Sequence, residues 1–179
     1  SETAPAAITR ILPRRNYIIR KSVNLSRQAH IIAANVDHAF IVVTLAFPEV
    51  KLPFIDRLLV TCEVYGVKPV IVLNKIDIVD EFRDDFAPAL ENFHRIYEGA
   101  GYSILEVSAK TGRGVDELRR LCLEKSEDGA PGISLFSGVS GVGKSSLIKA
   151  MDPSLNPKTG LISEAHLQGR HTTTFYEMY

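Results

Sequence analysis

Tryptophan is absent from these 179 residues, and cysteine and methionine occur only twice each. Cys62 and Cys122 lie far apart and belong to no C-x-x-C or Cys/His cluster, so neither a disulfide framework nor a metal site is encoded in this sequence. Both continue apolar series at helical spacing, Cys62 with Ile55, Leu58 and Leu59, and Cys122 with Val115 and Leu118, and read as small buried hydrophobes. No run approaches the roughly 18 to 20 apolar residues that span a bilayer. The opening SETAPAAITR also lacks the apolar h-region of a secretory signal, so the expectation is a soluble, cytoplasmic protein with no membrane partner. Net charge is lacking too, with 21 basic residues against 21 acidic ones.

That balance hides an uneven distribution. Between Thr3 and Val36 there is no acidic residue, while Arg10, Arg14, Arg15, Arg20, Lys21 and Arg27 make a basic arm. Charge alone leaves two readings open: a solvated sheet edge, or a surface that faces nucleic-acid phosphates. Asp77 to Glu98 has the opposite bias, with carboxylates outnumbering Arg83 and Arg95, and reads as an exposed helix face. Hydrophobic residues make up 45% of the chain, enough for one ordinary core.

The rhythm of the chain changes near Asn35. Before it, AAITRILPRRNYIIRKS has the short apolar runs and the Pro13 interruption of small-barrel strands. After it, buried strand patterns at Ala39–Phe47, Lys68–Asp77, Tyr102–Lys110 and Gly132–Gly138 alternate with helical patterns at residues 53–65, 81–98 and 114–125. Such alternation predicts an α/β domain, a mostly parallel sheet with helices on both faces. Glu124 to Gly132, rich in Ser, Asp, Gly and Pro, reads as a flexible linker.

The stretch GVSGVGKSS, Gly138 to Ser146, fits G-x-x-x-x-G-K-S between a predicted strand and a predicted helix. Gly138, Gly141 and Gly143 let the backbone turn so that successive N–H groups point at a phosphate, where a helix N-terminus adds its positive dipole end. Ser140, Val142 and Ser146 complete the loop. Lys144 supplies a point charge to the β- and γ-phosphates, and the Ser145 hydroxyl is placed to ligate magnesium.

Two further motifs choose the base. NKID, Asn74 to Asp77, follows a buried run, at the carboxyl edge where such sheets bind ligands. The Asp77 carboxylate can accept from the guanine N1–H and 2-amino group together, a pair adenine cannot offer. Asn74 would tie neighbouring loops, and Lys75 would lay its stem over the base. In SAKTG, Ser108 to Gly112, the Ala109 N–H can reach the guanine O6, with Ser108 and Lys110 beside it. GTPases ordinarily run phosphate loop, switch threonine, D-x-x-G, N-K-x-D, S-A-K. Here the base motifs come first, which predicts a circularly permuted P-loop GTPase domain whose long leading segment carries the base-binding half.

With ILPRRNYIIR, IIAANVD, FIDRLLV, VIVLNKID, SAKTGRGVDEL, LFSGVSGVGKSSLI and GRHTTT in this order, the chain resembles the RsgA (YjeQ) family of circularly permuted bacterial GTPases. The resemblance implies a GTP-hydrolysing assembly factor that matures the small ribosomal subunit, slow alone and stimulated by the ribosome. It implies an OB-fold barrel, a permuted GTPase domain and a zinc-binding domain in sequence. On that plan residues 1–34 are the end of the barrel, with its last strands at Ile8–Arg20, and residues 35–179 are the GTPase domain. Arg10, Arg14, Arg15, Arg20 and Lys21 then become the surface for ribosomal RNA. The D-x-P-G motif and the zinc ligands do not occur, so the sequence reads as a piece of a longer protein, with zinc expected only in the missing C-terminal region.

For hydrolysis, the resemblance offers His171 as the group that orients water, beside Arg170 for phosphate charge, and Lys144 as the charge stabiliser. A solvated loop role for His171 stands as the alternative. Thr173 is the expected switch ligand for magnesium, with Thr172 the second choice. Two other classes remain: a GTP-controlled RNA- or ribosome-binding module without hydrolysis, and a small-molecule kinase, which would leave NKID and SAKTG unexplained.

Overall fold

The first strands among the described residues are an antiparallel pair, β1 (Tyr17–Lys21) and β2 (Ala29–Ala34), whose register shifts between Ile18 and Ile19. The computed structural model describes residues 8–21, 29–155, 157 and 178. Residues 8–16, expected as strand, have no regular secondary structure, and the second strand falls beyond the expected Ile8–Arg20 span. The local reason is the Pro13 interruption together with side chains of Arg15 and Asn16 that are committed elsewhere, as described below.

The β-branched runs form the sheet. β3 (His38–Val43), β4 (Lys68–Leu73), β5 (Ile104–Glu106) and β6 (Ser134–Ser137) are all parallel, in the order β5-β4-β3-β6. All six residues of β3 are buried, as a central strand covered on both faces requires. Helices α1 (Leu52–Val64), α2 (Ile76–Glu81), α3 (Arg83–Gly99), α4 (Val115–Cys122) and α5 (Lys144–Met151) fill the connections. The chain steps β3→β4→β5 in one direction and then returns past β3 to β6. Because such crossovers are right-handed, α1 and α3 cover one face and α4 and α5 the other. The α1–α3 pairing is visible in Tyr97, whose hydroxyl donates to Asp56 at 3.0 Å.

Several expected boundaries move, each for a local reason. β3 ends at Val43 rather than Phe47, because Thr44 turns back to bond Pro48 O at 2.5 Å and Val50 N–H bonds Thr44 O at 3.1 Å. β4 ends at Leu73, so that Asp77 lies in the first turn of α2 and not at a strand end. The helix expected over 81–98 is α3, and an additional short helix, α2, precedes it, the two parted at Phe82, whose backbone leaves the helical region. β6, expected to be buried on both faces, is only partly buried: among the described residues it pairs on one side only, with β3. Cys62 is buried as expected and Cys122 is half-buried against the core, and burial pushes each thiol up to about 11, which keeps it protonated.

The segment read as a flexible linker is pinned instead. Lys125 and Pro131 form a β-bridge, and the Asp37 carboxylate accepts from Ser126 Oγ at 2.7 Å and from the Ile133 N–H at 2.8 Å. The third partner of Asp37 is the Arg15 guanidinium at 2.9 Å, which also donates to the Asn35 carbonyl at 3.2 Å. Arg15, though exposed, is therefore a tie between its own segment and the start of β3. Asn16 completes the joint: its amide donates to Val36 O at 2.8 Å and Gly66 O at 3.1 Å, while its oxygen accepts from Val36 N–H at 2.7 Å. The β1–β2 pair is thus fastened to the amino edge of the sheet.

Burial pushes the Asp37 carboxyl up, yet the Ile133 N–H, the Ser126 hydroxyl and Arg15 outweigh it and hold it below the ordinary carboxylate value. A folded-state pKa below the unfolded one gives stability that is complete above the unfolded value and lost as pH falls through the folded value. Asp37→Ala should cost on the order of 1–2 kcal/mol near neutral pH, by leaving Ser126 and Ile133 unpaired. Urea unfolding across pH should show the gap to the parent protein closing below about pH 4.

Candidate functional site

The carboxyl ends of β3, β4 and β6 converge where the chain reverses its direction across the sheet, the usual place for a ligand crevice in an open α/β sheet. β6 leads into Gly138, and the loop runs to Gly143 before α5 begins at Lys144. Two close approaches fix it. A Cβ on Gly138 would collide with the carbonyl oxygen of Val42 in β3, and one on Gly143 would collide with the Asn74 amide. Gly143 also has φ +95°, in the left-handed region that side chains rarely adopt.

Lys144 folds back over the loop, its Nζ 2.9 Å from both the Gly138 and Val139 carbonyls. Burial lowers its pKa from the ordinary lysine value. A partly desolvated ammonium at the loop that opens α5 is a fitting place for phosphate oxygens, whose charge would offset the solvation that burial removes. Ser140 and Ser145 lie within the same turn and at the start of α5, Val142 is fully buried, and Ser146 follows in the helix.

The base motifs sit against this loop. Asn74 is 2% exposed and uses both ends of its amide: Nδ2 donates to Val142 O at 2.7 Å, and Oδ1 accepts from the Ala109 N–H at 3.3 Å. One side chain therefore ties NKID, SAKTG and the phosphate loop together, as the sequence reading expected of Asn74. Ser108 Oγ donates to Asp77 Oδ1 at 2.6 Å and accepts from the Thr111 N–H at 3.1 Å. The Asp77 carboxylate is thereby oriented at one oxygen. Lys110, largely exposed, lies 3.9 Å from the other, Oδ2.

Lys75 is the strained member. It has φ +63°, and this left-handed residue lets the chain leave β4 and enter α2 within two positions. Burial lowers the pKa of its ammonium, which donates to the carbonyl of Phe47 in the β3–α1 loop. Sequence reading did not find Phe47, nor the side chains of Asp80, Glu106 and Arg113 around the base loops. No motif marks them, because their partners come from three different elements.

His171, Thr173, Arg170 and Thr172 lie outside the described residues, so the expected water-orienting and switch groups have no structural account. Of the basic arm, Arg10 and Arg14 are exposed, Arg15 is tied to Asp37, and Arg20 and Lys21 belong to β1. The residues fit a guanine nucleotide: a phosphate loop and an oriented carboxylate converge at one edge, while the Ala109 N–H expected for O6 bonds Asn74 Oδ1 in this structure. For magnesium they offer the Ser145 hydroxyl among the described residues.

The profile of the RsgA GTPase family matches residues 11–179. A small ribosomal subunit biogenesis GTPase RsgA of Flavobacterium johnsoniae is 47% identical over 179 residues, covering 100% of this chain and 52% of that protein. Its counterpart in Bacteroides fragilis is 45% identical, covering 100% and 54%. The chain spans about half the length of the curated relatives it matches. Among solved structures, YjeQ from Thermotoga maritima superposes with a TM-score of 0.65 at 36% identity, over 83% of this chain and 46% of that one. YloQ, a circularly permuted GTPase, gives 0.57 at 27% identity, over 81% and 44%.

Asn74→Ala should leave the Val142 carbonyl and the Ala109 amide without their buried partner, at a cost of about 2 kcal/mol. Gly143→Ala should cost at least as much, from the left-handed backbone and the collision with Asn74. In the double variant the collision is gone, so thermal unfolding should show a loss smaller than the sum of the two.

Proposed function

Because the chain belongs to the RsgA GTPase family, we propose that it carries the nucleotide site of a GTP-hydrolysing factor in the biogenesis of the small ribosomal subunit. The observation that carries this reading is the Asn74 amide, which holds the base motifs and the phosphate loop in one site although they are ordered backwards along the chain. Residues 35–179 act as the permuted GTPase domain and residues 1–34 as the end of a preceding barrel.

In this reading Asp77 takes the guanine N1–H and 2-amino group, the Ala109 N–H shares its hydrogen between Asn74 Oδ1 and O6, and Lys75 covers the base. Asn74, Ser108 and Lys110 hold these groups in place. Gly138 to Ser146 wrap the phosphates, with Lys144 facing the β- and γ-phosphate oxygens and stabilising the charge that grows during transfer. Ser145, with Thr173, would hold magnesium, which neutralises phosphate charge when bound. His171 orients the attacking water. Zinc belongs to a region beyond this sequence, and the setting is the bacterial cytoplasm.

The small subunit is the partner, and its RNA is contacted by Arg10, Arg14, Arg20 and Lys21. Arg15 is withdrawn from that set because Asp37 holds it. Each phosphate neutralised adds a slope of about −0.7 to −0.9 to the log–log salt dependence of binding. Arg10→Ala with Arg14→Ala in the full-length protein should therefore flatten the salt dependence of subunit binding by up to about 1.8 and leave GDP affinity unchanged. Sedimentation with subunits across a salt series reads both quantities, and an unchanged slope removes the arm from the interface.

The base assignment is tested by Asp77→Asn. An amide presents a donor where guanine has one and xanthine has a carbonyl, so preference should move from GTP toward xanthosine triphosphate by at least tenfold, about 1.4 kcal/mol. Competition binding with the two nucleotides decides it, and an unchanged preference removes Asp77 from the site. Hydrolysis measured on the full-length protein with and without small subunits separates an enzyme from a module that only binds.

A further inference from the structure

The guanidinium of Arg113 lies between two carboxylates from different elements: Nη1 is 2.6 Å from Asp80 Oδ2 in α2, and Nη2 is 2.6 Å from Glu106 Oε2 at the end of β5. Asp80 follows Asp77 by three residues, on the same face of the helix. Glu106 precedes Ser108 by two. The backbone of Arg113 joins the same circuit, since its carbonyl accepts from the Ser108 N–H at 2.9 Å. One residue therefore clamps the helix that carries Asp77 to the strand end that delivers Ser108, the hydroxyl that orients Asp77 at 2.6 Å.

α2 has six residues, a left-handed residue at its N-terminus and no side-chain cap, so helix propensity contributes little and its contacts decide where Asp77 stands: the buried Ile76 and Val79 hold its inner face, and Arg113 holds the outer one. We propose that Arg113 is a positioning residue for base discrimination: by bridging Asp80 and Glu106 it sets the angle at which the Asp77 carboxylate meets the two donors of guanine. This rests on the assignment of Asp77 to the base.

The bridge acts on geometry more than on stability. Arg113 is about half exposed, with its side chain at 47%, and ion pairs at such positions are screened and contribute little to folding. Both carboxylates also keep other partners: Asp80 Oδ1 holds Arg83 at 2.9 Å, and Glu106 Oε1 holds His94 Nε2 at 3.0 Å. Removing the guanidinium leaves neither acid unpaired, so the fold survives while the clamp opens. Lysine is a poor replacement, because one ammonium on a flexible stem cannot span two carboxylates as a planar fork does.

Hypoxanthine separates discrimination from overall affinity. It keeps the N1–H and O6 of guanine but lacks the 2-amino group, so it asks Asp77 for one bond where guanine asks for two. In the full-length protein, displacement titrations would give Kd values for GDP and IDP at fixed magnesium, beside a thermal melt. Arg113→Met should shrink the GDP-over-IDP preference by about threefold to tenfold, mainly through weaker GDP, with Arg113→Lys in between. A purely structural role would lower both affinities together and leave their ratio as in the parent protein, and that outcome overturns the proposal. Should Arg113→Met not fold, Arg113→Lys and Asp80→Asn carry the same comparison. If Asp77→Asn fails to shift preference toward xanthine, the base assignment falls and this inference with it. If that shift occurs and the Arg113 variants keep the parental ratio, only this inference fails.

Discussion

Asn74 spends both ends of one buried amide on the backbones of two other loops, and Gly143 approaches it so closely that no Cβ could intervene. A buried amide without partners costs free energy comparable to a lost hydrogen bond for each end, so the three loops are held to one mutual position or all are penalised together. In the proposed function, this tie sets phosphate and base recognition in fixed register. The rest of the sheet serves it: β4 delivers Asn74, β3 lies against Gly138, β6 delivers the loop, and the burial of β3 and β4 keeps those ends still.

A second polar joint stands at the opposite edge of the sheet. Asp37 gathers Arg15, Ser126 and Ile133, and Asn16 bonds Val36 and Gly66, so the β1–β2 pair and the segment before β6 are fastened to the start of β3. Ile133 leads directly into β6, and β6 leads into the phosphate loop. The β1–β2 pair and the phosphate loop are therefore joined through one half-buried strand, β6. The sheet carries a polar tie at each end and an apolar body between them.

Permutation is tolerated here for a plain physical reason. The contacts of the site are between strand ends and loops that are neighbours in the sheet, and none depends on which motif the chain reaches first. Parallel pairing of β3 with both β4 and β6 sets the adjacency, and right-handed crossovers place the helices.

The sequence by itself determined the parallel α/β architecture, the phosphate loop, the base motifs and the tying role of Asn74, because each is a local pattern: β-branched runs, glycine spacing, and a tetrapeptide that follows a strand. Whether β6 is flanked on both sides, where β4 gives way to a helix, and whether residues 124–132 are loose or pinned were decided only by the tertiary structure. The same is true of Arg15, which charge counting groups with its basic neighbours, and of Arg113, which no motif singles out. A side chain's partner is local in sequence only inside a helix or a tight turn. Asp37 is 96 residues from Ile133, and the groups that Arg113 bridges come from α2 and β5, so what these residues do was not written in the neighbourhood where they stand.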